Sequence, residues 1–195
     1  MARIQPPAKV AVRDRLLTDR RRRPLAKVVT AAQAIAGHLT AAPEVRRAAT
    51  VAAYVSMNGE PGTGPLLDAL RAAGRRVILP VLLPDDDLDW ATYEGTAELV
   101  AATRGLLEPT GRLLGPDAVA TADVVLVPGL AVDPSGVRLG RGGGSYDRAL
   151  ARVPAGTFTC VLLYEDEVGV PVPAEPHDRA VGWAATPAGV VRLDS

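Results

Sequence analysis

Aromatic residues, cysteine and lysine are scarce in this chain of 195 residues. Aromatic residues make up 4% of it, so Val, Leu and Ala must fill the core that a hydrophobic fraction of 48% predicts. The one cysteine, Cys160, excludes a disulfide within the chain and suits a reducing cytosol. Of the 22 basic residues only Lys9 and Lys27 are lysine, which makes these two candidates for sites that need a compact ammonium group.

An excess of one charge and a long apolar run are also missing. Basic and acidic residues number 22 each and give a formal net charge of zero. Proteins that bind nucleic acids or membrane surfaces usually carry a basic excess instead. The start of the chain lacks the apolar stretch of a signal peptide, and no apolar run could span a bilayer. We therefore expect a cytoplasmic monomer or weak homo-oligomer that binds neither nucleic acid nor membrane.

Short apolar runs alternate along the chain with segments of helical spacing. Helices are predicted over residues 9–23, 25–39 and 65–73 and again from about 146, and strands over 50–56, 77–83, 88–93, 122–127, 157–164 and 180–186. The run over 88–93 alternates as an edge strand does, and 180–186 is expected to be the last strand. This order predicts one α/β domain over residues 1–195, with a mostly parallel sheet covered on both faces.

Ligands of such sheets bind beyond the carboxyl ends of the strands. We therefore expect a site among the loops that follow Ser56, Val127 and Tyr164.

The segment over residues 138–148 combines glycines with arginines and an aspartate. Glycine N–H groups can approach an anion closely, arginine pairs bidentately with phosphate or carboxylate, and Asp147 could hold a magnesium ion that bridges phosphates. The segment matches neither the Gly-x-x-x-x-Gly-Lys-Ser/Thr loop nor the Gly-x-Gly-x-x-Gly loop, because Ser145 stands at the last glycine position of the latter. An anion-binding loop is the favoured interpretation, and a solvated flexible loop is the alternative.

The order of residues around this loop forms a long and specific pattern. It runs through Pro128, Gly129, Leu130, Asp133, Arg138, Leu139, Gly140, Arg141, Gly142, Gly143, Gly144, Ser145, Tyr146 and Asp147. The pattern resembles the signature of the 5-formyltetrahydrofolate cyclo-ligases, also called 5,10-methenyltetrahydrofolate synthetases. In that signature a strand ending in Pro-Gly-Leu is followed by an acidic turn, Arg-Leu-Gly-Arg-Gly-x-Gly, two aromatic residues and aspartate. Here Ser145 replaces the first aromatic residue.

Other positions resemble the same family. Lys9 and Arg13 match its lysine and arginine on the first helix, where a spacing of four residues places both on one face. Glu60 matches its glutamate after the first strand, Glu108-Pro109 a Glu-Pro pair, and Pro176-His177-Asp178 a His-Asp pair. Taken alone, Lys9, Arg13 and Glu60 are more typical of charges on a solvated surface, and Asp178 could equally belong to a surface turn.

The resemblance implies a three-layer α/β/α sandwich with a Rossmann-like sheet. It also implies the conversion of 5-formyltetrahydrofolate into 5,10-methenyltetrahydrofolate, with ATP as co-substrate, Mg²⁺ as cofactor, and ADP and phosphate as products. The implied ATP-binding residues are Lys9, Arg13, Arg138, Leu139, Gly140, Arg141, Gly142, Gly143, Gly144, Ser145 and Tyr146, with Lys9 and Arg141 catalytic. The implied folate-binding residues are Val55, Glu60 and Tyr146, and the implied metal ligands are Asp147 and Asp178.

Two other functions stay open at this point. One is a sugar-phosphate isomerase or deaminase of similar fold, which would not need ATP. The other is a non-catalytic module that binds folate or nucleotide, for which Ser145 is the best support. Away from the loop, residues 20–23 and 165–167 are predicted to be solvated, and Cys160 to be a buried small hydrophobic residue.

Overall fold

The computed structural model describes residues 7–57 and 59–194. Its helices are α1 (Pro7–Arg21), α2 (Leu25–Ala41), α3 (Pro43–Arg47), α4 (Gly64–Ala72) and α5 (Ser145–Ala151). Its strands are β1 (Thr50–Ala52), β2 (Arg76–Leu82), β3 (Leu88–Thr92), β4 (Leu99–Ala101), β5 (Leu107–Pro109), β6 (Val124–Pro128), β7 (Ala131–Val132), β8 (Arg138–Leu139), β9 (Phe158–Leu162), β10 (Trp183–Thr186) and β11 (Gly189–Arg192).

The central sheet contains seven strands in the order β11-β10-β9-β6-β1-β2-β3. The five inner strands are parallel to one another, and the edge strands β3 and β11 are antiparallel to their neighbours. Strand β1 pairs with β2 on one side and with β6 on the other, so the winding of the chain reverses beside β1. A crevice beyond the carboxyl ends of β1 and β6 is therefore the expected ligand position.

The apolar core lies on both faces of this sheet. Successive residues of a strand point to opposite faces, so Val51 joins one buried cluster and Ala52 the other. The helix residues of the first cluster include Ile35, Leu39, Leu66, Leu67 and Leu70, and those of the second include Ala149 and Leu150. Helices α2 and α4 thus cover one face and α5 the other, which confirms the predicted α/β fold and its three layers.

Proline helps to set where the helices begin. Pro24 directly precedes α2, and Pro43 and Pro65 lie in the first turns of α3 and α4. Proline is tolerated there because the first N–H groups of a helix have no partner within the helix. None of the helices in the described ranges is long and apolar enough to cross a bilayer. The prediction that the start of the chain lacks a signal peptide falls partly on residues 1–6, which lie outside the described ranges.

Two of the differences between the predicted and the observed strands change the sheet or the site. The apolar run over 50–56 pairs only over β1, and its remaining residues leave the sheet to enter the site described below. The prediction that 180–186 is the last strand is wrong, because β11 follows β10 and pairs antiparallel with it.

The predictions of solvated charge at residues 20–23 and 165–167 are also wrong in part. Arg20 is 2% exposed and Glu167 is 1% exposed. The two side chains are joined by hydrogen bonds of 2.8 Å from Nε to Oε1 and 2.7 Å from Nη2 to Oε2. Each charge can be buried because the other neutralises it. Cys160 is fully buried, as predicted, and its burial raises the pKa of its thiol.

Candidate active site

A cavity of about 500 Å³ opens beyond the carboxyl ends of β1 and β6. Its walls come from the segments after these two strands, from α1, β2 and β3, and from the glycine-rich loop between β8 and α5. Further lining residues lie within 104–108, and Glu175, His177 and Asp178 complete the wall. All of the residues predicted to bind ATP, folate or metal line this one cavity. The connection after Tyr164, which was also predicted to contribute, supplies Glu175, His177 and Asp178 to the lining, whereas residues 165–167 at its start do not line the cavity.

Backbone conformation shapes the glycine-rich loop. The loop leaves the β7–β8 ribbon after Leu139 and enters α5 at Ser145. Gly142 and Gly144 have φ angles of +104° and +73°, a region that residues with a Cβ atom rarely adopt. Gly129, on the facing wall, is required for another reason: a Cβ atom there would lie 2.7 Å from a methyl carbon of Val161.

Helix α1 places two cations beside this loop. The Nε atom of Arg13 donates a hydrogen bond of 2.9 Å to the carbonyl oxygen of Gly140. The Nζ atom of Lys9 lies 2.7 Å from Oε2 of Glu175 and 2.8 Å from Oδ2 of Asp178. Burial lowers the pKa of Lys9, but the hydrogen bonds to Asp178 and Glu175 outweigh it and raise the pKa overall. Lys9 is therefore a buried ammonium group rather than the surface charge that the sequence also allowed.

The buried Arg138 and the half-buried Asp147 form a second ion pair. The Nη2 atom of Arg138 lies 3.1 Å from Oδ1 of Asp147, and its Nη1 donates to the carbonyl oxygen of Pro128 at 3.2 Å. The backbone N–H of Arg179 also donates to Oδ1 of Asp147, at 3.3 Å. The Nε atom of Arg138 is buried and has no hydrogen-bond partner among the described residues. Asp147 is therefore held by side-chain and backbone donors and does not cap α5, whose cap residue is Gly144.

Glu60 lies in the segment after β1, which forms one end of the cavity. Its side chain is 6% exposed. Oε2 accepts a hydrogen bond of 2.7 Å from the backbone N–H of Met57, and Oε1 lies 3.2 Å from Nη2 of Arg141. Val55 and Tyr146 line the same cavity as apolar surface. Burial, together with the nearby Glu60 carboxylate, raises the pKa of the Tyr146 hydroxyl, so this group stays neutral.

A cluster of possible metal ligands lies opposite the loop. One ligand atom each from Glu175, His177 and Asp178 can be chosen so that all lie within 4.8 Å of one another. The sequence analysis proposed Asp178 as a metal ligand but missed Glu175. Glu175 could have been found from its position three residues before Asp178, on the same turn. The donation of the Glu175 N–H to Oδ2 of Asp178, at 2.7 Å, closes that turn. These oxygen donors suit a hard divalent cation such as Mg²⁺, and Arg179 links the turn to Asp147.

Comparisons with known proteins find relatives of this chain in one family. The sequence profile of the 5-formyltetrahydrofolate cyclo-ligase family matches residues 5–187. A 5-formyltetrahydrofolate cyclo-ligase of Mycolicibacterium smegmatis is 43% identical over 97% of this chain and its own full length. One from Escherichia coli K12 is 37% identical over 68% of this chain and 79% of its own.

Solved structures are similar as well. The 5,10-methenyltetrahydrofolate synthetase of Aquifex aeolicus is 27% identical and superposes with a TM-score of 0.81, covering 96% of this chain and 93% of its own. That of Mycoplasma pneumoniae, at 19% identity, shares the fold with a TM-score of 0.74 over 92% of this chain and 98% of its own. The matched profile and relatives extend over most of the chain and include the glycine-rich loop. This chain therefore belongs to the 5-formyltetrahydrofolate cyclo-ligase family.

Proposed function

We propose that this chain uses ATP to close the formyl group of 5-formyltetrahydrofolate into the methenyl bridge of 5,10-methenyltetrahydrofolate. Membership of the family makes the chain a 5-formyltetrahydrofolate cyclo-ligase. The ATP dependence, the metal, the roles of individual residues and the cytoplasmic location are the parts that we propose. The observation that carries them is that four cations share one cavity with the glycine-rich loop and with the buried carboxylate of Glu60. The four cations are Lys9, Arg13, Arg138 and Arg141.

The proposed chemistry has two steps. The formyl oxygen is a poor leaving group, so it first attacks the γ-phosphorus of ATP, and ADP departs. The neighbouring folate nitrogen then attacks the formyl carbon and loses its proton, and phosphate leaves with the former formyl oxygen. Phosphoryl transfer needs alignment and charge neutralisation more than covalent help, which matches a site lined by several cations.

The cations on α1 and on the loop are assigned to the phosphates. Lys9 and Arg141 are the catalytic pair, since they would neutralise the charge that develops on the transferred phosphoryl group. Arg13 and Arg138, with residues 139–146 of the loop, would hold the remainder of the nucleotide. Three of these cations, Lys9, Arg138 and Arg141, each contact at least one carboxylate, which a phosphate would have to replace.

The opposite end of the cavity is assigned to the pterin. Its ring edge offers N–H donors, and Glu60 is a buried carboxylate whose geometry is fixed by the N–H of Met57. Val55 and Tyr146 supply apolar surface to the same cavity. Mg²⁺, when bound, would supply charge neutralisation between neighbouring phosphates, and Asp147 and Asp178 are the residues assigned to hold it.

One incubation separates the candidate functions. With ATP, Mg²⁺ and 5-formyltetrahydrofolate, a cyclo-ligase forms the methenyl product, which is followed by its absorbance, and leaves ADP. A non-catalytic module, to which Ser145 pointed, would bind folate without turnover, and a sugar-phosphate isomerase would ignore ATP. Folded protein that forms no methenyl product in the presence of Mg²⁺ would refute the proposed function.

A further inference from the structure

One ion pair spans the two ends of the cavity. Arg141 belongs to the glycine-rich loop, and Glu60 follows β1 on the opposite wall. Nε and Nη2 of Arg141 lie 3.3 Å and 3.2 Å from the same oxygen, Oε1 of Glu60. The side chain of Arg141 is 43% exposed, whereas that of Glu60 is 6% exposed. A partly exposed cation from the phosphate side therefore contacts a buried carboxylate of the folate side.

This pair is looser than others in the same cavity. Charge-assisted hydrogen bonds between nitrogen and carboxylate usually measure about 2.7–2.9 Å, and Lys9 meets Glu175 at 2.7 Å. Both contacts of Arg141 exceed that range, and both fall on one oxygen rather than forming a two-oxygen fork. Arg141 should therefore readily exchange the Glu60 carboxylate for a phosphate group, which a guanidinium can bind bidentately.

The oxygen that Arg141 contacts is the one that the folate would need. Oε2 of Glu60 is already engaged with the backbone N–H of Met57, so Oε1 is the better acceptor for an N–H group of the pterin. The Arg141 guanidinium, when it is hydrogen-bonded to Oε1, competes with that N–H group for the same oxygen. Folate binding should therefore be favoured when Arg141 moves away.

We propose that Arg141 exchanges Glu60 for the phosphates of the nucleotide and thereby couples ATP binding to folate binding. The inference rests on the proposed function, because it takes the nucleotide and folate sites from there. Nucleotide draws Arg141 off Glu60 and makes Oε1 available to the pterin. By thermodynamic reciprocity, folate tightens the binding of nucleotide by the same factor.

Glu60 keeps a positive neighbour when Arg141 leaves. Burial lowers the pKa of the Arg20 guanidinium, but its hydrogen bond to Glu167 and its attraction to Glu167 and Glu60 raise it overall. Arg20 is therefore a permanent cation whose field reaches Glu60. This favourable charge beside Glu60 does not depend on the contact between Glu60 and Arg141.

The test is the affinity for 5-formyltetrahydrofolate, measured by calorimetry with and without a non-hydrolysable ATP analogue and Mg²⁺. In the wild-type protein the analogue should tighten folate binding by roughly 5- to 150-fold, the usual range of such coupling. In Arg141→Gln, folate without nucleotide should bind at least as tightly as to wild type, and the coupling factor should fall towards one. Arg141→Lys, which keeps the charge, should retain part of the coupling.

Arg112→Gln removes an equal charge from an exposed position outside the cavity and should keep the wild-type coupling factor. An unchanged coupling factor in Arg141→Gln would overturn the exchange, and so would weaker folate binding by that variant in the absence of nucleotide. These outcomes leave the proposed function intact if methenyl product still forms in the wild-type protein. Absence of that product would instead refute the function itself.

Discussion

The buried pair of Arg20 and Glu167 offers the sharpest prediction about stability. Each side chain is 1% exposed, and two parallel hydrogen bonds of 2.7–2.8 Å join them. Nη2 of Arg20 also donates to the carbonyl oxygen of Gly129 at 2.7 Å, and Oε2 of Glu167 accepts from the N–H of Tyr164 at 3.0 Å. The pair thus ties α1, which carries Lys9, to the loop that follows β6.

Glu167→Ala would leave the Arg20 guanidinium buried without a carboxylate. Removing one partner of a buried ion pair costs about 3–5 kcal/mol, because the remaining charge is desolvated and uncompensated. The neighbouring pair gives a matched control: Asp166 is 64% exposed and lies 2.6 Å from Arg23. Asp166→Ala should therefore lower the free energy of unfolding by about 1 kcal/mol or less.

Urea unfolding at pH 7 measures both changes on one scale. The double variant Arg20→Met with Glu167→Leu should recover much of the stability lost in Glu167→Ala, since it buries no unpaired charge. A loss for Glu167→Ala no larger than that for Asp166→Ala would refute the reasoning. So would a double variant less stable than Glu167→Ala.

Further predictions concern the phosphate site, the metal and acid stability. Lys9→Ala should weaken the use of ATP by about 1.5–3 kcal/mol, roughly 10- to 150-fold, while folate affinity persists; unchanged kinetics with ATP would remove Lys9 from the site. Asp147→Asn should lower turnover by roughly 100-fold or more, with only partial rescue by Mg²⁺, and a wild-type curve across a Mg²⁺ titration would contradict its metal role. The hydrogen bond from Arg152 holds the pKa of Asp87 below its ordinary value. Asp87→Asn should therefore cost about 1–3 kcal/mol of stability at pH 7, and the difference should shrink as the pH falls below about 4, through the folded-state pKa; a difference that stays constant down to pH 3 would contradict this.

The sequence predicted the inner strands well because both of their faces are buried. Residues such as Val51 and Val125 therefore lie in short, continuous apolar runs that need no partner to be seen. Strand β11 was missed because its four residues are half-buried or exposed and follow β10 after only two residues. The ribbon of β7 and β8 contains two residues per strand, too few to show any periodicity.

Part of the candidate site could likewise be predicted from the sequence, and part could not. Residues in contiguous motifs, such as Arg138 and Asp147, could be proposed because their order along the chain resembles a family signature. Contacts between distant segments could not: Arg20 and Glu167 are 147 positions apart, and Lys9 and Glu175 are 166 apart. The packing of α1 against the sheet decides which carboxylate neutralises which cation. Composition and residue spacing do not predict this packing.

The most direct measurement of the central claim is the ratio of methenyl product to ADP formed in the same reaction. Purified protein is incubated with 5-formyltetrahydrofolate, ATP and Mg²⁺, and both products are quantified over time, with a parallel sample containing excess chelator. The account predicts one mole of ADP for each mole of methenyl product, and neither product in the chelated sample. Methenyl product formed without ADP, or ADP formed at an equal rate without folate, would contradict it.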